Sequence, residues 1–476
     1  MKKSLLKLAF AFAAFTLVLA VRAQAQTVTY PAKFNGTNGW QPFGGVVQAT
    51  DGNFYGTTAF GGNGNGNVFR MTPSGKITSI YNFCSQANCT DGSIPDTAPI
   101  LGSDGNLYGV TLSGGLILAG GGGNGVFYRL TLSGQLTVLH KFCHGSGCPD
   151  GGNPSGIMQA ADGNFYGVAQ GGTEGGGIIF KITPSGAFTT LHAFCSQTNC
   201  ADGDGADAPP IQGRDGNFYG VTVQGGTEGG GVLYKLTPTG SYQVLHNFCA
   251  FGCAEGSLPN AIVQDAKGNF FGTTTGGFVA FEFTSAGEYK VLSTLVLSGS
   301  PGERQPLILA SDGNLYGTSG GGTPQDGGDG LGAILEVSPA GKFTPLYMFC
   351  GCGNPTSGYN PEGQLFQGTD GNFYGTTMFG GNSGQNYGTV FKLAKGLNPL
   401  VETVPVAGKV GKQIIILGNN LSGATGVTFN GVQANFTVKS NTYISATVPA
   451  GASTGTVSVI TPSRTLKSNP QFVVTK

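Results

Sequence analysis

The phrase Asp-Gly-Asn-Phe/Leu-Tyr-Gly begins at Asp51, Asp104, Asp162, Asp215, Asp312 and Asp370, and a degenerate copy, KGNFFG, begins at Lys267. Successive starts lie 53, 58, 53, 52, 45 and 58 residues apart. A period of this length, written seven times, constrains the fold more than any composition does. Each unit must be one supersecondary element that buries its apolar face against its neighbours. Each unit holds four short β-like runs. One ends just before the phrase (GGVVQAT, SGIMQAA). The second is the phrase itself (NFYGTT). The third follows a Gly-rich loop (NVFRMTP, GIIFKITP), and the fourth follows a PSG-like turn (KITSIYNF, AFTTLHAF). Runs rich in β-branched and aromatic residues, bounded by Gly, Pro, Asn and Asp, are strands. Four antiparallel strands per unit predict the blade of a β-propeller.

Only six fourth strands follow the phrases, because the seventh unit ends after VFKLAKG. The segment TVTYPAKFN, residues 27–35, resembles a fourth strand and precedes the first unit. It is predicted to complete the last blade, closing the ring with both ends of the repeat region and removing an exposed sheet edge. The expected fold is therefore all-β: a seven-bladed propeller closed by an N-terminal strand. In such a ring the DGN and PSG turns share one face. The Gly-rich loops and the loops after the fourth strands share the other, and these vary in length. Variable loops on a rigid scaffold are where binding usually resides.

Charged residues make up only 10% of the chain and the formal net charge is zero. A nucleic-acid partner is disfavoured, since such proteins carry a basic excess. The start of the chain reads as a secretory leader: a basic MKKSLLK, an apolar LAFAFAAFTLVLAV and a small-residue site at Ala23–Ala25, leaving Gln26 first. The apolar run is short for a membrane span, and no later run is long enough to cross, so no transmembrane segment is expected after cleavage. Ten cysteines stand in five close pairs, Cys84/Cys89, Cys143/Cys148, Cys195/Cys200, Cys249/Cys253 and Cys350/Cys352. In an exported chain these read as local disulfides. Zinc, the rival, needs four converging ligands, and each pair falls in a different repeat. Cys350-Gly-Cys352 would close a very small ring.

Candidate chemistry is sparse. Asp-Gly between two strands is a hairpin signal, and one carboxylate per tight turn falls short of the roughly six to eight oxygens calcium takes. The DGN phrase is thus read as a turn. His140, His192 and His246 share one repeat position, where Tyr81 and Tyr347 stand in other units, and are read as blade packing. The cysteine loops also share an acidic position, Asp91, Asp150, Asp202 and Glu255. Asp202, Asp204 and Asp207 resemble half a calcium loop, without the distant Glu or the regular spacing of a full one. Glu174 and Glu228 lie in two neighbouring QGGTEGGG loops, and a carboxylate pair is what a glycosidase needs. No nucleophile elbow, phosphate loop or zinc-type His pair is present, and no cofactor is expected.

From about Leu397 the cysteines and the phrase vanish. Short alternating strands and an Asn430-Gly431 hairpin signal suggest a small β-sandwich. The stretches ILGNNL, VTFNGVQANFTV, ISATVPAGASTGTVSV and TPS resemble the IPT/TIG domain, an immunoglobulin-like fold that occurs in extracellular proteins as a spacer or contact module. The repeats, with DGNFYGTT…GG and GTVFKL, resemble the bacterial GloVer (Gloeo/Verruco) tandem-repeat family over about residues 40–395. That resemblance implies export and, in members with an anchor, surface attachment. It supplies no catalytic residues to transfer.

The expected organisation is a leader over 1–25, a propeller over 26–396 and a sandwich over 397–476. The expected work is extracellular binding or adhesion by a monomer, with a glycan or protein held on the face of the Gly-rich and cysteine loops. The alternatives are a polysaccharide-active enzyme using Glu174 and Glu228 on that face, and a structural component of the cell envelope.

Overall fold

A computed structural model describes residues 26–116, 124–145, 147–250, 252–295, 306–320, 331–349, 357–382 and 385–475. The predicted leader and the Cys350/Cys352 pair lie outside these residues. Among them the repeats form seven four-stranded antiparallel sheets, each ordered from inner to outer strand along the chain. In the third blade, for example, Gly152–Gln159, Phe165–Gln170, Ile178–Ile182 and Phe188–Ala193 pair in sequence. The exception is the last blade, where Thr27–Lys33 pairs with Thr389–Ala394 as the outer strand (Thr27 opposite Ala394, Lys33 opposite Thr389). Its register shifts between Thr29 and Ala32, where outer strands of other blades also bulge. Pro31 sits in that bulge, a place that tolerates a residue without an N–H.

The residues of the repeated phrase divide the labour of ring formation. The Tyr of one blade stacks on the Phe of the next: Tyr108 on Phe165 (centroids 4.2 Å apart), Tyr166 on Phe218 (4.0 Å), Tyr219 on Phe270 (4.5 Å), Tyr316 on Phe373 (4.4 Å). Tyr374 of the last blade stacks on Phe54 of the first at 4.3 Å, so the series closes on itself. Each such pair is worth about 0.5–1.5 kcal/mol beyond its buried area. The closing Gly of the phrase lies beneath a third-strand ring. A Cβ on Gly109 would stand 2.3 Å from the Tyr128 hydroxyl, and one on Gly167 would stand 2.5 Å from the Phe180 ring.

A second belt runs around the ring beside the stack. The Gln ending an inner strand accepts a backbone N–H from the preceding blade: Gln159 from Ser103 (2.8 Å), Gln212 from Ala161 (2.9 Å), Gln264 from Arg214 (3.0 Å), Gln367 from Ser311 (3.0 Å). Gln48 of the first blade accepts both the N–H (3.1 Å) and the hydroxyl (3.0 Å) of Thr369 in the last. Leu101 and Leu309 take this position in the remaining two blades.

Beyond the ring, Glu402–Val404, Gln413–Leu417, Tyr443–Thr447 and Phe436–Ser440 form one sheet, and Val432–Gln433, Gly426–Phe429, Val457–Ile460 and Thr465–Lys467 another. Ala407–Lys409 and Val473–Thr475 add a parallel pair. Asn430 (φ 46°) and Gly431 (φ 89°) make the tight hairpin between Gly426–Phe429 and Val432–Gln433. In Gln413–Leu417, successive side chains face opposite ways. Ile414 and Ile416 enter the sandwich core with Phe429, Ile444 and Val459, whereas Ile415 and Leu417 join Val404 in a cluster with Tyr55, Leu101 and Leu107 of the propeller. The sandwich is therefore packed onto the ring.

Candidate functional site

The side on which the sandwich sits follows from its polar contacts. The Thr442 hydroxyl donates to the Thr50 carbonyl (2.7 Å), Leu400 N–H to the Thr369 carbonyl (3.0 Å), and Asn419 Nδ2 to Thr369 Oγ1 (2.7 Å). Asn469 Nδ2 donates to the Leu309 carbonyl (2.9 Å), and Arg214 Nη1 to Gln471 Oε1 (3.1 Å). All four propeller positions lie at the ends of inner strands or in the DGN turns, on blades 1, 4, 6 and 7. The DGN face is thus the one the sandwich covers. A cavity of about 350 Å³ remains at this junction, lined by Gln48, Phe54, Asp370, Tyr374, Asn419 and Arg464 among others.

The DGN carboxylates are engaged within their own blades. In each intact copy the Asp accepts from the backbone N–H and side-chain amide of the Asn two residues on, and from the Tyr hydroxyl four residues on. In the first blade these bonds are 3.1, 2.7 and 2.7 Å. A third-strand Lys adds an ion pair at Asp215 (Lys235, 3.1 Å) and Asp370 (Lys392, 3.1 Å). Burial pushes the Asp215 carboxyl up, but the bonds from Asn217, Tyr219 and Lys235 outweigh it and hold it below the usual carboxylate range. The same balance holds Asp370 down through Asn372, Tyr374 and Lys392. In the fifth blade the Asp, Tyr and basic residue are replaced together, by Lys267, Phe271 and Glu282.

On the opposite face, loops among the described residues interlock. The cysteine loop entering blade 4 bonds to that blade's Gly-rich loop, with Gly226 N–H on the Cys200 carbonyl and Asp204 and Gln224 exchanging backbone bonds. Disulfides join Cys84–Cys89, Cys143–Cys148, Cys195–Cys200 and Cys249–Cys253. The acidic position inside each of the first three loops organises it. Asp91 accepts from Ser85 N–H and hydroxyl and from the Tyr81 hydroxyl, and Asp202 from Ser196 N–H and hydroxyl and Gln197 N–H.

Here the structure adds pairs that were not foreseen from the sequence. His140 Nε2 lies 3.0 Å from Asp150 and His192 Nε2 3.1 Å from Asp202. Tyr81 plays the same part toward Asp91. The signal was present as a constant spacing, ten residues from outer-strand His or Tyr to loop Asp. Each ring also stacks on an aromatic of the following blade: His140 on Phe188, His192 on Tyr242, His246 on Tyr289. Burial lowers the His192 pKa against the opposing pull of Asp202, and burial lowers that of His246. The loop after His246 is one residue shorter between its cysteines, and His246 Nε2 has no hydrogen-bond partner among the described residues.

The predicted site residues separate in space and in role. Asp202 is buried and turned to His192, whereas Asp204 is half-buried, and burial, partly offset by the Gly205 N–H, raises its pKa. Cys195, Cys200 and Asp204 bring donor atoms together, but the two sulfurs are joined to each other and offer no thiolate. Glu174 and Glu228 stand exposed at the tips of their Gly-rich loops, outside the hydrogen bonds and ion pairs of the described residues.

Residues 15–207 match the model of the Gloeobacter/Verrucomicrobia repeat, and residues 400–474 that of the IPT/TIG domain. No curated protein matches the chain in sequence. Among solved structures, it is similar to a streptogramin B lyase (15% identity, TM-score 0.52, covering 78% of this chain and 98% of that one). It is also similar to virginiamycin B lyase from Staphylococcus aureus (14%, TM-score 0.50, 78% and 98%). A third similarity is to the extracellular domain of a hybrid two-component system from B. thetaiotaomicron (12%, TM-score 0.50, 95% of this chain and 59% of that one). At these identities the likeness speaks to the propeller fold alone. No helix among the described residues is long and apolar enough to cross a membrane.

Proposed function

We propose that this chain, a Gloeobacter/Verrucomicrobia repeat propeller carrying an IPT/TIG domain, is a non-catalytic binding protein that works outside the cell and holds a glycan or protein ligand on its open face. The observation that carries this reading is the sandwich on the DGN face, from Thr442 on Thr50 round to Asn469 on Leu309. It leaves the Gly-rich and cysteine loops as the face free to meet a partner. Two further features support it. Four short-range disulfides suit an oxidising compartment, in keeping with residues 1–25 acting as a cleaved leader. And the carboxylates of the DGN turns and of the first three cysteine loops are engaged in turns and loop cores, so that Glu174 and Glu228 are the pair a hydrolytic reading would have to use.

The test is a glycan and protein array probed with the secreted protein. Saturable binding to at least one class is expected, and it should weaken when loop-tip residues of the open face are changed. Cleavage of a glycan by the parent, abolished in the Glu174→Gln/Glu228→Gln double variant, would replace this reading with the enzymatic one. A blank array would leave a structural role in the envelope. Intact mass with and without reductant checks the disulfides: each predicted pair should add two hydrogens on reduction.

A further inference from the structure

The open face carries one departure from its own repeat. In five blades the residue nine positions after the start of the phrase pairs with the segment entering the blade. In three blades this pair is small or polar: Ser93 with Ser113, Asp204 with Gln224, Ser257 with Gly276. In the two blades flanking the closure of the ring it is aromatic: Trp40 with Phe60 in the first and Tyr359 with Phe379 in the last. The small pairs demonstrate that the loop junction itself needs no large ring there.

Trp40 is the single tryptophan of the chain, and it is 39% exposed, the one aromatic among the exposed large apolar side chains of the described residues. It is held firmly. Its backbone exchanges both bonds with Phe60 (2.9 and 3.1 Å), and its indole N–H donates to the Asn386 carbonyl (3.1 Å). Its ring packs on Phe60 and Tyr387, with centroids 5.6 and 6.2 Å away. Beside it, Asn35, Thr37 and Asn38 form a tight polar turn in which each Asn side-chain oxygen takes up the other's N–H. The Asn side-chain amide nitrogens make no bond among the described residues. None of these residues carries a charge. A rigid, exposed aromatic plane bordered by neutral amides and a hydroxyl offers stacking for an apolar ring face and hydrogen bonds for hydroxyls. Those are the two needs of a saccharide ring.

We propose that Trp40, with Phe60, Tyr387 and the Asn35–Asn38 turn, is a stacking site for a neutral glycan at the seam of the ring. This rests on the reading that the open face binds an extracellular ligand. Because Trp40 is the sole tryptophan, its emission reports on the site directly. The secreted protein is titrated with neutral hexasaccharides of β-1,4-glucose, β-1,3-glucose, xylose, mannose and N-acetylglucosamine. At least one should shift or quench the emission saturably. Trp40→Ala should then weaken that ligand about tenfold or more by calorimetry, as loss of an aromatic anchor does, and Trp40→Phe should retain most of the affinity. Trp40→Phe should melt close to the parent, and Trp40→Ala should stay folded with a modestly lower midpoint, since it loses the packing on Phe60 and Tyr387. If no neutral hexasaccharide alters the emission, or if a bound one holds equally well to Trp40→Ala, the site is not there. In that case an array ligand that still binds Trp40→Ala would sustain the wider reading, and a blank array would remove both.

Discussion

At the scale of single residues, each letter of the repeated phrase has a distinct physical job. Asp closes an Asx turn and takes the Tyr hydroxyl, Asn completes the turn, and Phe and Tyr stack blade on blade. The final Gly is there because a third-strand ring lies across it. This last role makes an ordered prediction. A methyl on Gly167 meets the Gly156 carbonyl oxygen and the Phe180 ring, each at 2.5 Å, one of them unyielding backbone. Gly167→Ala should cost about 1–3 kcal/mol, the usual range for overpacking. In blade 6 the ring is replaced by Leu335, and a methyl on Gly317 meets only the ends of Leu307 (2.9 Å) and Leu335 (3.6 Å). Gly317→Ala should be the milder of the two. Thermal melts of the two variants check the order, and equal losses would mean the ring is not the reason for the glycine.

At the scale of elements, the ring depends on a strand borrowed from the far end of the repeat region. Thr27–Lys33 completes the last blade, and Ala32 within it and Phe34 just beyond it join a core with Val46 and Phe69 of the first blade and Tyr374 of the last. Phe34 is fully buried, with its ring 5.0 Å from that of Phe69. Phe34→Ala should cost about 3–5 kcal/mol. Deletion of residues 27–35 should cost more, because it also exposes the Thr389–Ala394 edge. Denaturant unfolding should register the deletion as a large fall in midpoint; a variant that unfolds like the parent would refute closure by this strand. The Gln48–Thr369 clasp and the Tyr374–Phe54 stack join the same two blades, so the closure is held at the inner, middle and outer strands.

At the scale of the whole molecule, the sandwich and the propeller share a buried seam, and Glu402 lies in it. It alternates with Val404 on one face of its strand, opposite Leu417, which packs on the ring. The residue is partly buried, its Oε2 is sealed without a hydrogen-bond partner among the described residues, and burial pushes its carboxyl up from 4.5 to about 8. A carboxyl whose folded pKa is raised favours folding while both states are protonated. The benefit is lost as pH rises from about 4.5 through about 8. Glu402→Gln should therefore gain several degrees of melting temperature relative to the parent at pH 8, and little at pH 4.5. A constant difference across that range would mean Glu402 is solvated. Asp215 and Asp370 act in the opposite sense: their depressed pKa values add stability above the ordinary Asp range, and it is lost as pH falls below it.

The sequence alone determined the unit, the number of units and the offset that closes them, because these follow from a local phrase and from counting. It also separated a second β module after Leu397. The tertiary structure decided which face is free. The clue was the run Ile414-Ile415-Ile416-Leu417, apolar at every position where a half-exposed strand would alternate. Periodicity reports that both sides of such a strand are buried but not what buries the second, and here it is the propeller. The same limit applies to the His–Asp pairs, whose partners meet only when a loop folds back on its strand. It applies equally to Trp40, an ordinary residue in the sequence. Its surroundings come from residues 35–40, 60 and 386–387, which only a closed ring brings together.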